Sequence, residues 1–348
     1  MAEELGNREK GVLRAIVHAY ITHGEPVGSS QLVRAAEFDV SSATLRGVMA
    51  DLEALGYLEK PHTSAGRVPT PQGYRFYVDA LVKLEAPPET AQALIQQNLS
   101  GSEPSPEAVV QDASRVLHAI TRHAGVVVTP RASALAPSRI EFVRLREDRV
   151  LAVMVVQGGQ VVNRPLSLDF PMPGEELVRA AGRLNELFAR HPGRTVEELR
   201  GVLQRELEDE AAAQQPELQR ALRLGVAAAV GVAAPERVVI EGAGSFLERP
   251  EFADVERARA VFRALDEKER LLQLLDRVQR AAAIQVFIGA ESALGEGAEV
   301  SIIASPYGSN GQVLGAVGVI GPTRMDYQKV IPLVGFTAQV LSKALEST

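Results

Sequence analysis

Near the N-terminus, apolar residues recur at helical spacing. Val12, Leu13, Ile16, Val17 and Tyr20 form one stripe ending at Gly24, which predicts an amphipathic helix over residues 8–22. The stretch GEPVGSSQLVRAAE supplies a Pro/Gly turn, a serine cap at 29 or 30, and a short second helix whose Leu32 and Val33 face the first. A third helix follows, with Ser41 as its N-cap, Leu45, Val48, Met49, Leu52 and Leu55 as its buried stripe, and Gly56 as its stop. Beyond it, YLE and the broken stretch KPHTSAGRVPT read as strand, loop and strand, and GYRFYVDALVKL as a helix whose aromatics pack a core. Helix, helix, turn, helix and wing is the winged helix-turn-helix pattern, in which the third helix enters the major groove of DNA.

Residues 83–106 contain a proline pair, a short helical run and a Ser/Pro/Gly cluster, and are expected to form a linker. A helix from 107 leads into Val-rich segments at 125–129, 139–146, 149–157 and 160–168, which are expected to form an antiparallel sheet. Helical patterns cover 174–191, 195–213 and 216–229, and a further long helix is expected over about 254–280. Strand patterns return in IQVFIGAE, EVSIIASPYG and QVLGAVGVIGP, and the chain closes on a helix over DYQKVIPLVGFTAQVLSKAL. Sheet, helical block and sheet imply one α+β domain interrupted by an insertion.

Composition narrows the chemistry. The 348 residues carry 37 Lys and Arg against 44 Asp and Glu, a net charge of −7. The absence of cysteine excludes disulfides, thiolate zinc sites, iron-sulfur clusters and cysteine nucleophiles. The six histidines lack the spacing that converges on a metal from one helix, so no metal site is expected. The glycines of VLGAVGVIGPTRMDY do not match a phosphate-binding loop, and Ser133, Ser245 and Ser292 lie in no nucleophile elbow; neither an enzyme site nor a cofactor is expected. Thr323 and Asp326 read as capping residues and Arg324 as half of a structural ion pair. No window reaches eighteen apolar residues and the start lacks an apolar leader, which places the expected protein in the cytoplasm with no membrane partner. Against the acidic total, Lys60 to Val78 contains no Asp or Glu. A loop that meets phosphates excludes carboxylates because each would repel the duplex.

The blocks EPVGSSQL, VSSATLRGVMADLEALGYLEKPHTSAGRVPTPQGYRFYVD, IEGAGSFLERPEFAD, VFIGAE and GVIGPTRMDYQKVI resemble the bacterial heat-inducible transcription repressor family known as HrcA, over nearly the whole chain. The resemblance implies a winged-helix DNA-binding domain (1–82), a linker (83–106), a GAF-like domain in two segments (107–172 and 281–348) and an inserted dimerisation domain (173–280). It implies repression of chaperone operons by a dimer on an inverted-repeat operator called CIRCE, with the chaperonin GroEL keeping the repressor active. The alternative is a regulator whose GAF-like domain senses a small molecule. Where the family commonly carries Asn after Arg46, this chain has Gly47, at a cost of about 1 kcal/mol of helix propensity relative to Ala.

On the third helix, Ser42, Ala43, Thr44, Arg46, Gly47 and Ala50 lie opposite the apolar stripe. Small side chains let a helix approach base edges closely, and Arg46 reaches guanine or phosphate. In the wing, Lys60, His62, Thr63, Ser64 and Arg67 supply cations and hydroxyls for phosphates, with Arg67 expected at the tip. The DNA-contacting set is therefore Ser42, Ala43, Thr44, Arg46, Lys60, His62, Thr63, Ser64 and Arg67. An inverted repeat needs two copies related by a two-fold axis, so a surface outside 1–82 must join them. The inserted region is the natural candidate, and the long helices around 195–230 and 254–280 serve either a dimer or only the core.

Overall fold

The structure, a computed structural model, describes residues 5–34, 40–61, 66–100, 106–129, 135–157, 161–169, 172–213, 216–229, 238–292, 294, 299–309 and 311–346. The N-terminal head contains α1 (Asn7–His23), α2 (Ser29–Arg34), α3 (Ser42–Ala54), β1 (Leu58–Glu59), β2 (Val68–Pro69) and α4 (Pro71–Phe76), which continues as a π-helical turn over Tyr77–Leu81. The predicted stripes meet: Val12, Leu13, Ile16 and Val17 of α1 share one buried core with Leu32, Leu45, Val48, Met49 and Leu52. Ser41 caps α3 by accepting from the Thr44 amide at 3.1 Å. β1 and β2 pair antiparallel, with Leu58 opposite Pro69 and Glu59 opposite Val68. Tyr74 and Tyr77 are buried, and Phe76 packs edge-on against Tyr57 with ring centres 5.3 Å apart, so the aromatic run fills the core as expected.

Part of the expected linker is structured. Residues 89–100 form α5 (Glu89–Ser100), with Ile95 and Leu99 buried, whereas 82–88 lack regular structure. The body that follows is a three-layer unit. It is built on α6 (Pro106–Thr121), β3 (Ala124–Val128), β7 (Val238–Glu241), α10 (Val255–Asp266), α11 (Lys268–Ala281), β8 (Gln285–Ile288), β9 (Val300–Ser309), β10 (Gln312–Pro322) and α12 (Tyr327–Glu346). Its five strands run in the order β7-β3-β10-β9-β8, all antiparallel. Alternate residues go to opposite layers. Val126, Ile302, Ala316 and Ile320 join Leu271, Leu275 and Val278 of α11, while Val127, Ile303, Val317 and Val319 join Val110 and Leu117 of α6 and Val334 and Leu341 of α12. With both faces covered, the central strands β3, β9 and β10 are mostly apolar rather than alternating.

Between β3 and β7 the chain forms a separate layer pair: β4 (Pro137–Arg146), β5 (Arg149–Val156), β6 (Val161–Ser167), α7 (Gly174–Arg190), α8 (Val196–Ala213) and α9 (Pro216–Ala229). β4-β5-β6 is an antiparallel meander whose Ile140, Val150, Ala152, Met154 and Leu166 share a core with Leu177, Leu184 and Phe188 of α7. The Asn185 side chain accepts from the Ile140 amide at 2.8 Å and donates to the Ile140 carbonyl at 3.0 Å, satisfying that residue on the open edge of β4. Glu176 of α7, 7% exposed, accepts from Arg220 of α9 at 2.6 Å.

These arrangements differ from three expectations. The Val-rich segments do not form one sheet, because β3 belongs to the body and β4–β6 pair only with each other. β7, α10 and α11, expected within 173–280, pair and pack with the body instead. β3 and β7 are hydrogen-bonded neighbours, so the inserted chain leaves and returns at adjacent points. The helix expected over 254–280 is two helices, separated at Glu267, whose backbone is non-helical (φ −75°, ψ 63°).

Candidate nucleic-acid interface

α3 turns its apolar stripe inward and leaves Ala43, Thr44, Arg46, Gly47 and Ala50 exposed. Arg46 is the sole cation on that stretch and has no partner among the described residues. Ser42 is half-buried, and its hydroxyl lies 2.8 Å from that of Ser29, tying α2 to α3. The Thr44 hydroxyl sits 2.9 Å from that of Ser41 at the helix cap. Of the residues assigned to this helix, Ala43, Thr44 and Arg46 thus share an open face and Ser42 lies beneath it.

The hairpin differs from expectation in one place. Arg67 is at its root, not its tip. The Arg67 backbone donates to and accepts from Val27 at 2.9 Å each way, and its side chain, 12% exposed, places Nη2 2.7 Å from Glu53 of α3. The reason is steric. Gly66 passes so close to the turn before α2 that a Cβ would come within 2.5 Å of the Val27 carbonyl. Lys60, on the other arm, has Nζ 3.8 Å from the same Glu53 carboxylate. His62, Thr63 and Ser64 lie outside the described residues.

A seam joins head to body. Arg75 of α4 donates through Nε to Glu291 at 3.1 Å and through Nη2 to the other Glu291 oxygen, while Nη1 reaches Asp79 at 3.1 Å. Burial would raise the Glu291 carboxyl, but hydrogen bonds from Arg75 and the Ile288 amide outweigh it and hold it below its ordinary range. Tyr74 packs against Tyr327 with ring centres 5.9 Å apart, and burial pushes its hydroxyl well above the ordinary value. Arg324, expected in a structural ion pair, makes one with Glu251.

The carboxylate-free stretch from Lys60 to Val78 therefore draws its counter-charges from outside itself: Glu53 for Lys60 and Arg67, and Asp79 and Glu291 for Arg75. Glu53 and Glu291 were missed by sequence reasoning. The available signal was the excess of cations in the stretch, which says that partners exist and not where. Among the described residues no His, Asp or Glu cluster can hold a metal ion, and no helix is long and apolar enough to cross a membrane.

A family model described as HrcA protein C terminal domain matches residues 107–331. The chain is 46% identical over 345 residues to the heat-inducible transcription repressor HrcA of Anaeromyxobacter sp. (strain K), covering 99% of this chain and 97% of that one. The chain belongs to the HrcA family. Its similarity to the repressor of that name from Geobacter sulfurreducens is 41% over 343 residues and covers 99% of both chains. A solved crystal structure of a hypothetical protein shares the fold of this HrcA-family chain, with a TM-score of 0.64 at 24% identity over 99% of each chain. It supports the mixed helix and sheet architecture end to end.

Proposed function

We propose that this protein is a heat-inducible transcription repressor whose head is a winged helix-turn-helix reading an inverted-repeat operator of the CIRCE type. The observation that carries the reading is the exposed face of α3, where Ala43, Thr44, Gly47 and Ala50 are small and Arg46 is the single charge, without a partner among the described residues. Such a face can lie against base edges, with methyl groups available to thymine and a guanidinium to guanine or phosphate. Ser42 supports it from below, Lys60 and Arg67 sit on the two arms of the hairpin, and His62, Thr63 and Ser64 complete the proposed set of backbone contacts.

In this reading the body is GAF-like and the insert dimerises. The open face of β4–β5–β6 carries Val143 opposite Leu151, Leu151 opposite Pro165 and Val155 opposite Val161. Val143, Leu145 and Val161 are each about half exposed, at 50%, 51% and 54%. The occupant that fits is the same face of a second copy, because a two-fold operator requires a self-complementary contact. The seam between head and body sets how the two heads present themselves, and both heat and the chaperonin GroEL act on that arrangement.

The test is titration of the purified chain against a duplex carrying the inverted repeat and a scrambled control at several salt concentrations. A specificity ratio of about a thousand or more is expected. Equal, weak binding to both duplexes, with and without chaperonin, overturns the reading.

A further inference from the structure

Glu53 is a carboxylate on the element proposed to read DNA, where a negative charge lowers affinity for any duplex. Its position explains why it is tolerated. Glu53 sits on the last turn of α3 and reaches both arms of the hairpin, with Oε2 2.7 Å from Arg67 Nη2 and Oε1 3.8 Å from Lys60 Nζ. The Arg67 backbone is meanwhile paired in both directions with Val27, and Gly66 lets the two strands close to that distance. The hairpin root is thus held at two points, the turn before α2 and the end of α3. A partly exposed ion pair of this kind contributes little to stability, so its main consequence is geometric.

We propose that Glu53 is a specificity-determining positioning residue. It holds Lys60 and Arg67 in one orientation relative to α3, so that the hairpin cations meet phosphates only where the α3 face also meets base edges. This rests on the DNA-reading function proposed above. Released from Glu53, two mobile cations gain contact with any phosphate backbone. Non-specific affinity then rises with each phosphate neutralised, while base contacts, which alone carry sequence information, do not.

The experiment uses the full chain, wild type, Glu53→Gln and Glu53→Asp, titrated against the inverted-repeat and scrambled duplexes at three salt concentrations. Glu53→Gln is expected to bind the scrambled duplex more tightly, with a salt slope steeper by about one for each cation freed. Its specificity ratio is expected to fall about tenfold, one base contact's worth of discrimination. Glu53→Asp keeps the charge but is a methylene too short to hold both arms, so one cation is freed: its salt slope steepens by about one and its ratio falls by less than that of Glu53→Gln. Circular dichroism melts confirm that both variants fold. If wild type discriminates and both variants keep its ratio within about twofold, the assignment of Glu53 is overturned and the DNA-reading function stands. A lower melting temperature with an unchanged ratio makes Glu53 merely structural and overturns the assignment in the same way. A wild type that does not discriminate sinks the DNA-reading function and this proposal together.

Discussion

Arg324 donates from Nε to Glu251 at 2.5 Å while its Nη1 donates to the Ile21 carbonyl at 2.9 Å, so a body arginine closes the C-terminus of the first head helix. The carbonyls at a helix C-terminus lack intrahelical partners and carry partial negative charge, which a guanidinium satisfies in both respects. Both side chains are about one-fifth exposed, so the contact is largely shielded from solvent.

Replacing Arg324 with Gln is expected to cost about 1–3 kcal/mol of stability, because the Glu251 carboxylate is left without its cation in a half-buried place. Hydrogen exchange checks where the effect falls. Amides in the last turn of α1 and in α4 should lose protection, and those in the β10 ladder should not.

His123 gives the protein an acid-sensitive element. It is 6% exposed, and burial, helped by Arg249 and His118 against an opposing Glu251, lowers its pKa to about 4. Below its ordinary value of 6.5 the unfolded chain takes up a proton that the folded chain refuses. Stability is therefore expected to decline as pH falls from 6.5 towards about 4, by up to roughly 3 kcal/mol from this group. Melting temperatures of wild type and His123→Gln, compared at pH 7 and 4.5, should show a larger acid loss in wild type. Equal losses refute the assignment.

Gly47 sits in an exposed helix interior with no atom within 4 Å of the place a Cβ would take. Gly47→Ala is expected to raise stability by about 1 kcal/mol, read from a denaturant melt. A neutral or negative change would show that the site is more crowded than its surroundings indicate.

On the open meander face, Val143→Asp places a charge beside Leu151. If that face joins two copies, sedimentation should show wild-type dimers and a folded monomer for the variant, because a buried unpaired carboxylate costs several kcal/mol per subunit. An unchanged dimer moves the contact elsewhere.

The helical stripes of α1 and α3 and the Ser41 cap were legible because each depends on residues within one or two turns. The same held for the strand patterns of β9 and β10 and for the closing helix α12, whose inner Pro332 did not obscure its apolar pattern. The break at Glu267 was not legible. The stretch LDEKER contains neither Pro nor Gly, and helical pattern continues through it. The division follows from packing, since α11 lies on the sheet core and α10 packs beside Phe246 and Phe252.

What the chain determines by itself is local: which segments are helix or strand, which face of α3 is apolar, and that a cationic loop carries no carboxylate of its own. Tertiary structure decided the rest: that β7 and not β4 lies beside β3, that Ile95 and Leu99 dock, that Arg67 is held at the hairpin root, and that Arg75 and Arg324 clamp the head. The physical reason is range. Period and capping act between neighbours in the chain, whereas strand partners and counter-charges are selected among surfaces that meet only after folding, by which pairing leaves the fewest apolar atoms in water and the fewest buried charges alone.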